Sequence, residues 1–280
     1  MNHERLNPRV DFAFKKIFGS EENKDLLMAL VNAVLPAEDQ VQSLTLKNPY
    51  TLKSRETDKT AILDIRAVDT SGRHLNIEMQ VADELGYEKR ALFVWSEVYR
   101  EQLKKGDIYE QLNRTISIHI LNFTLMDEPD YHNHYVILNK KSKKEAFSDL
   151  QLHTIELNKF EAAHGHEHIK TALDRWVTFL TRAHDLSPAK MPTALKKDKH
   201  ILKALDVLDS TVLTDEEYDI YRAHIAWVRM ELSALEKVRQ DGREEGAANL
   251  VMTMHKNGLS PEQIHQFTQI SLKAILEILN

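Results

Sequence analysis

Two carboxylates, Asp64 and Glu78, stand fourteen positions apart, and Gln80 follows two residues after the second. The residues around them read as two short strands folded over the turn Thr70-Ser71-Gly72. In a strand alternate side chains share a face, so Glu78 and Gln80 point one way while Leu75, Ile77, Met79 and Val81 point the other. One face is polar and the other is core. A three-residue loop sets Asp69 opposite Arg73 and, counting back, Asp64 opposite Glu78 and Ile65 opposite Ile77. A two-residue loop would shift the pairing by one and set Ile65 against Glu78, which burial of one face disfavours. Carboxylates directly opposite lie roughly 5 Å apart at Cβ and destabilise the pair unless something neutralises them. A divalent cation does so. Mg²⁺ is typically held by one or two carboxylates, with water and substrate phosphate completing the octahedron, which is ligand chemistry suited to phosphodiester hydrolysis. Spacing alone leaves a second reading on equal terms, an exposed hairpin face whose acids are relieved by Arg66 or Arg73.

The elements that would position this hairpin follow from pattern. Val10 to Phe18 reads as a short apolar-rich helix stopped by Gly19, and Ser20 is placed to cap a second helix running to Leu35, which Pro36 ends. Leu26, Leu27, Leu30, Val31 and Val34 recur at helical spacing on one face of it. Val41 to Lys47 reads as a strand, and a polar stretch over 48–59 leads into the hairpin. Tyr87 to Lys105 reads as a long helix with Ala91, Val94, Trp95 and Val98 on its buried side, and Thr115 to Phe123 as a buried strand. Further on, 135–138 and 152–157 read as strands, and 166–183 and 193–209 as helices. His132-Asn133-His134 and His164-Gly165-His166-Glu167-His168 invite a metal reading, but neither has an acidic or cysteine partner at ligand spacing, so both are expected in surface loops.

Composition sets wide limits. At 280 residues the chain has room for one or two domains and a sizeable core. It has no cysteine, which excludes disulfides, thiol catalysis and Cys-ligated zinc. No run approaches the roughly 18 apolar residues of a membrane span, and the start Met1-Asn2-His3-Glu4-Arg5 lacks an apolar signal segment, so a soluble, cytoplasmic protein is expected. The net charge is −6, and residues 1–125 carry 17 Lys and Arg against 19 Asp and Glu, a net of −2. Any nucleic-acid surface must therefore come from the arrangement of Lys15, Lys16, Lys53, Arg55, Lys59, Arg66 and Arg90 and not from bulk charge.

The C-terminal third is helical. Asp215 to Arg239 forms an amphipathic stretch that the charged segment 240–246, which contains Gly242 and Gly246, is expected to interrupt as a hinge. Ser260-Pro261-Glu262-Gln263 is a capping box with proline at the first helical position, and Ser271 can cap a last helix carrying Leu272, Ile275, Leu276 and Ile278. Two such helices could read DNA, but without clustered Lys or Arg a subunit or partner contact is the stronger expectation, and with it a homo-oligomer.

The strings Ala61-Ile62-Leu63-Asp64-Ile65-Arg66-Ala67 and Asn76-Ile77-Glu78-Met79-Gln80 resemble the core of the PD-(D/E)XK nuclease superfamily. More narrowly, with Asp11-Phe12-Ala13-Phe14-Lys15-Lys16-Ile17-Phe18-Gly19 and Arg90-Ala91-Leu92-Phe93-Val94-Trp95-Ser96, they are similar to the Rpn family of recombination-promoting nucleases and transposases. The likeness spans about the first 125 residues well and the rest loosely. It implies an α/β fold, a restriction-endonuclease-like core of helix, mixed sheet and helices, with residues 1–160 as the nuclease-like domain, 161–241 as a helical region and 242–280 as a helical tail. It further implies a bacterial, Mg²⁺- or Mn²⁺-dependent DNA endonuclease tied to recombination, mobile elements or defence, with Asp64 and Glu78 as metal ligands and Gln80 in the catalytic set. Glu22 stands where such proteins often place another acidic ligand, although its place in a first helical turn also explains it. Lys15, Lys16, Arg66 and Arg90 are then candidates for contact with DNA, as is Gln102 for the phosphate. Two positions depart from the motif: Leu63 replaces proline, which binds no metal, and Gln80 replaces lysine. Glutamine can position water by hydrogen bonds but brings no charge, so a fold retained without activity is the competing expectation.

Overall fold

The computed structural model describes residues 5–47, 64–164, 169–186, 190–211 and 213–279. Leu63, the candidate DNA contacts Lys53, Arg55 and Lys59, and the metal-suggestive residues 165–168 lie outside them. The chain divides into two compact units, 1–225 and 226–280.

The first unit is built on a six-stranded mixed sheet of order β1-β2-β3-β4-β6-β5. Its strands are β1 (Leu44–Leu46), β2 (Ile65–Asp69), β3 (His74–Gln80), β4 (Thr115–Leu121), β5 (His132–Val136) and β6 (Leu150–Glu156). β2 and β3 form the expected antiparallel hairpin, with Ile65 opposite Ile77 and Arg66 opposite Asn76. β3, β4 and β6 run parallel to one another, and β5 returns antiparallel at the edge.

Helices cover both faces. On the face of Leu75, Ile77 and Met79 lie α1 (Asp11–Phe18), α2 (Lys24–Val34), α5 (Ala172–Arg182) and α7 (Lys199–Ser210), sharing one apolar core with the sheet. Phe18 anchors it edge-on to Trp176 and Phe179, with ring centroids 5.5 and 6.4 Å away. Leu26, Leu27, Leu30, Val31 and Val34 of α2 are all buried, as their spacing predicts. The opposite face was expected to be a polar surface, and here the structure differs. Helix α3 (Tyr87–Arg100) packs over it, so Asn76, Glu78, Ser117 and His119 are buried. A crossover between parallel strands covers a sheet face, so strand alternation here separates two interiors instead of inside from outside.

Other expectations shift as well. α3 stops at Arg100, five residues early, and the helix foreseen over 193–209 is two, α6 (Thr193–Lys196) and α7, because Asp198 caps the second by accepting from the backbone N–H groups of His200 and Ile201. An unforeseen helix, α4 (Leu157–His164), follows β6 directly. α8 runs unbroken from Asp215 to Lys256, so 240–246 is helix and not a hinge. In the second unit the end of α8, α9 (Pro261–Thr268) and α10 (Leu272–Leu279) enclose their own small core of Val251, Ile264 and Ile275. The capping box at Ser260 and Gln263 forms as read, and Ser271 accepts from the Ala274 N–H.

His132 and His134 lie on strand β5, not in a loop, and share a sheet face with His153. His134 stacks on His153 with centroids 4.1 Å apart, and Nε2 of His132 lies 3.1 Å from Nδ1 of His153. Burial first, then the two neighbouring rings, push His153 down to about 3. Burial also lowers His132 and His134; Asp39 and Glu145 oppose this at His134 and Arg114 adds to it. Unfolded, these rings take up protons near pH 6.5; folded, each does so only at lower pH, His153 at about 3. Their stabilisation is complete above that pH and declines as pH falls, by roughly 1.4 kcal/mol per pH unit for each linked proton. Between pH 7 and 5 the His153→Leu variant should therefore lose less stability than the parent chain in denaturant melts. Parallel pH dependences would contradict this.

Candidate active site

The geometry starts at the hairpin turn. Asp69, itself buried, accepts from the backbone N–H groups of Ser71 and Arg73 at 2.9 Å each and from Nε of Arg73 at 2.7 Å. Gly72 closes the turn at φ +83°, in the left-handed region that suits glycine. Asp69 N–H donates to the Arg73 carbonyl, which makes the loop three residues long. From that point the strands count back to Ile65 opposite Ile77, and the next step brings Asp64 and Glu78 to the same end of the hairpin.

Both carboxylates are buried at 4% exposure, so their mutual repulsion must be answered locally. Asp64 accepts from Nε of Arg66 at 2.9 Å, and Arg66 reaches Glu101 at 2.6 Å with another nitrogen. Glu78 accepts from Arg90 at 2.6 Å, and Arg90 likewise bridges to Glu84 at 2.7 Å. The second Glu78 oxygen lies 3.6 Å from Nδ1 of fully buried His119, which in turn is 3.0 Å from the Tyr87 hydroxyl. Burial alone would raise the Glu78 carboxyl; His119 and Arg90 outweigh it and hold it below its ordinary value.

Helix α1 adds two groups. Asp11 and Lys15 stand one turn apart on it and so share a helix face. Asp11 is buried, 3.3 Å from Nε2 of His224, and its carboxyl is raised by burial and by the nearby Glu78 charge, against the pull of His224 and Arg90. Lys15, half-buried, lies within the fields of Asp64 and Arg66, and its ammonium is lowered chiefly by burial, against the effect of Asp64. Gly19 fixes the end of this helix, since a Cβ there would come within 2.6 Å of the Lys15 carbonyl oxygen.

Asp64, Glu78, Lys15, Arg66 and Arg90 are thus brought together, with Gln80 two residues beyond Glu78 donating its amide to the Ala82 carbonyl at 3.2 Å. Glu22 stands apart, exposed in a 3-10 turn where its carbonyl accepts from Lys203. Lys16 is paired with Glu217 at 2.9 Å. Gln102 is spent on structure, bonding the backbone of Asn113 in both directions and the Thr115 hydroxyl. Asp11 and His119 are the additions that sequence reasoning did not single out. Asp11 reads as an ordinary first-turn acid and His119 as one polar residue in an apolar strand; only helix-on-sheet packing relates either to Glu78.

Among the described residues no group of three or more His, Asp or Glu side chains is close enough to hold a metal by itself. The pair nevertheless suits a hard cation that needs one or two carboxylates. Oxygens Oδ1 of Asp11 and Oε2 of Glu78 are buried without a hydrogen bond among the described residues, acceptor capacity of the kind a cation uses.

The family described as PD-(D/E)XK nuclease family transposase matches residues 8–237 of 280, and the chain belongs to it. The match takes in the whole sheet and every residue named in this site. It supports a nuclease or transposase-related function, in a family whose nucleases generally use divalent metals. No curated protein and no solved structure matches the chain. Among the described residues no helix is long and apolar enough to cross a membrane.

Because Asp69 holds the turn that sets the register, Asp69→Ala removes three hydrogen bonds and leaves the Arg73 guanidinium with Asp39 as its remaining carboxylate partner. The expected cost is about 3 kcal/mol or more in urea unfolding. A loss below about 1 kcal/mol would show that the register does not depend on this side chain.

Proposed function

We propose that the chain is a metal-dependent DNA endonuclease that hydrolyses phosphodiester bonds, with Asp64 and Glu78 holding Mg²⁺ or Mn²⁺, in the service of recombination, mobile elements or defence. The observation that carries this reading is a buried pair of carboxylates at one end of a hairpin inside a nuclease-family fold, where neither acid has a packing reason to be. Such a cation, when bound, activates water and neutralises charge on the phosphate.

The chain's own residues supply the rest. Asp64 and Glu78 offer charge and oxygens from two strands whose spacing is fixed by backbone pairing, so little ordering is needed on binding. Arg66 and Arg90 balance them, and each is shared with a more exposed acid, Glu101 or Glu84. Gln80, with its nitrogen engaged by Ala82, keeps a carbonyl oxygen able to accept from a water. A lysine at that position would bring charge as well, so the alternative reading is a protein that keeps the fold with weakened or absent chemistry.

Plasmid nicking separates the two. Asp64→Asn and Glu78→Gln keep the size and hydrogen-bonding capacity of each side chain and should reduce Mg²⁺-dependent nicking by at least roughly 100-fold while remaining folded. Alanine is a poorer probe, since it leaves Arg66 or Arg90 beside a vacated carboxylate. Gln80→Lys should match or exceed the parent rate and Gln80→Ala fall below it. Undiminished nicking by Asp64→Asn would remove the pair from the mechanism.

We also propose that the chain self-associates, and that α8 carries the contact. Trp227, Met230 and Val238 on α8 are 51%, 72% and 68% exposed, a large apolar area for a helix to leave in water. Light scattering should give a subunit count above one for the parent chain and a smaller one for Trp227→Glu/Met230→Glu. A monomeric parent, or an unchanged count in the variant, would refute it.

A further inference from the structure

Resting on the nuclease reading, we propose that Glu84 and Glu101 are positioning residues, which act through Arg90 and Arg66 to set how tightly the carboxylate pair takes a divalent cation. The arrangement on the two sides of the pair is the same. Nη2 of Arg90 donates to Oε1 of Glu78 at 2.6 Å, while its Nη1 donates to Oε2 of Glu84 at 2.7 Å. Nε of Arg66 donates to Oδ2 of Asp64 at 2.9 Å, while its Nη1 donates to Oε2 of Glu101 at 2.6 Å. Each guanidinium thus spans an inner acid and an outer one. The inner side chains, Glu78 and Asp64, are 6% and 5% exposed, and the outer ones, Glu84 and Glu101, 54% and 50%.

A guanidinium on a carboxylate oxygen competes with a divalent cation, because it fills a lone pair that the cation uses and repels it as a like charge. A guanidinium that gives up its inner acid still has its outer acid to hold it, so the exchange strands no buried charge. Without Glu84 or Glu101 the arginine would keep its inner acid or lose its only carboxylate partner among these contacts, and the exchange would cost more. Both outer acids stand on fixed backbone at the two ends of α3. The Glu84 carbonyl accepts from the Tyr87 N–H at 3.1 Å in a turn where Gly86 takes φ +80°, and the Glu101 N–H donates to the Glu97 carbonyl at 2.9 Å. The Arg90 guanidinium also lies 5.8 Å from the centre of the Tyr87 ring, a contact that depends on neither acid. Ion pairs made by acids as exposed as Glu84 and Glu101 add little to stability, so their effect falls on the exchange.

Calorimetric titration with Mn²⁺ tests this without reference to cleavage. Glu84→Gln and Glu101→Gln should each weaken Mn²⁺ binding by roughly tenfold, the scale on which residues behind a metal ligand act, with melting temperatures near that of the parent chain. Arg90→Gln should tighten binding, and Glu84→Gln added to it should change nothing further, because the acid has lost the residue through which it acts. Glu88→Gln, which removes the same charge from the first turn of α3, should bind Mn²⁺ as the parent does. Parental affinity in either Glu84→Gln or Glu101→Gln would overturn the proposal. So would an equal loss in Glu88→Gln, or an undiminished effect of Glu84→Gln beside Arg90→Gln, since the acids would then act by their field alone. Should Arg90→Gln melt early, Glu84→Gln against Glu88→Gln decides it by the same affinity comparison. A parent chain whose Mn²⁺ binding is lost in Asp64→Asn/Glu78→Gln but indifferent to Glu84 and Glu101 sinks the outer acids alone; a parent chain that binds no Mn²⁺ sinks the nuclease reading along with them.

Discussion

Everything in the candidate site depends on one hydrogen-bonded turn. Asp69 binds two backbone N–H groups and the side chain of Arg73 across a loop that only glycine closes comfortably, and this sets β2 against β3 in a single register. Since a strand's side chains alternate, a slip of one residue would send Asp64 to the opposite face from Glu78. Arg73 extends the lock by reaching Asp39, which Arg114 and Gln151 also bind, so the turn is tied to β4 and β6 as well. The carboxylate pair is held by bonds made at the far end of the hairpin from it.

The second constraint is electrostatic. Two acids buried side by side would each oppose the ionisation of the other, and burial would push both toward the protonated form. The fold offsets this with Arg66 and Arg90 and with the His119–Tyr87 contact behind Glu78, which keeps Glu78 ionised. Asp11 has no guanidinium of its own and is shifted the other way. Neighbouring acids of one site are thus shifted in opposite directions because they differ in partners, the usual device by which one cluster serves more than one role.

The hairpin and its pairing were legible in the sequence because they rest on local signals: a glycine-bearing turn at 70–72 and a period of two. The core helix α2 was legible for the same reason, through its five buried positions. What was hidden is tertiary. Whether α3 would cover the polar face, whether α1 would bring Asp11 and Lys15 to the pair, and whether His153 would slot between His132 and His134 all depend on contacts across long separations. The unbroken α8 shows a different limit. Gly242 and Gly246 each cost the helix roughly 1 kcal/mol, but Arg239, Gln240, Arg243, Glu244 and Glu245 around them are good helix formers, and the penalty is spread over a 42-residue helix. Glu22 and Asp11 were indistinguishable as first-turn acids; only packing separates an exposed one from a buried one.

The central claim is that the ends of β2 and β3 form a divalent-cation site, and iron-directed cleavage tests it without recourse to activity. Fe²⁺ bound in place of Mg²⁺ generates hydroxyl radicals with ascorbate and cuts the nearby backbone. The account predicts cuts close to Asp64 and Glu78, suppressed by excess Mg²⁺ and absent in Asp64→Asn/Glu78→Gln. Cutting centred elsewhere, such as at the β5–β6 histidines, or cuts that persist unchanged in the double variant, would contradict it.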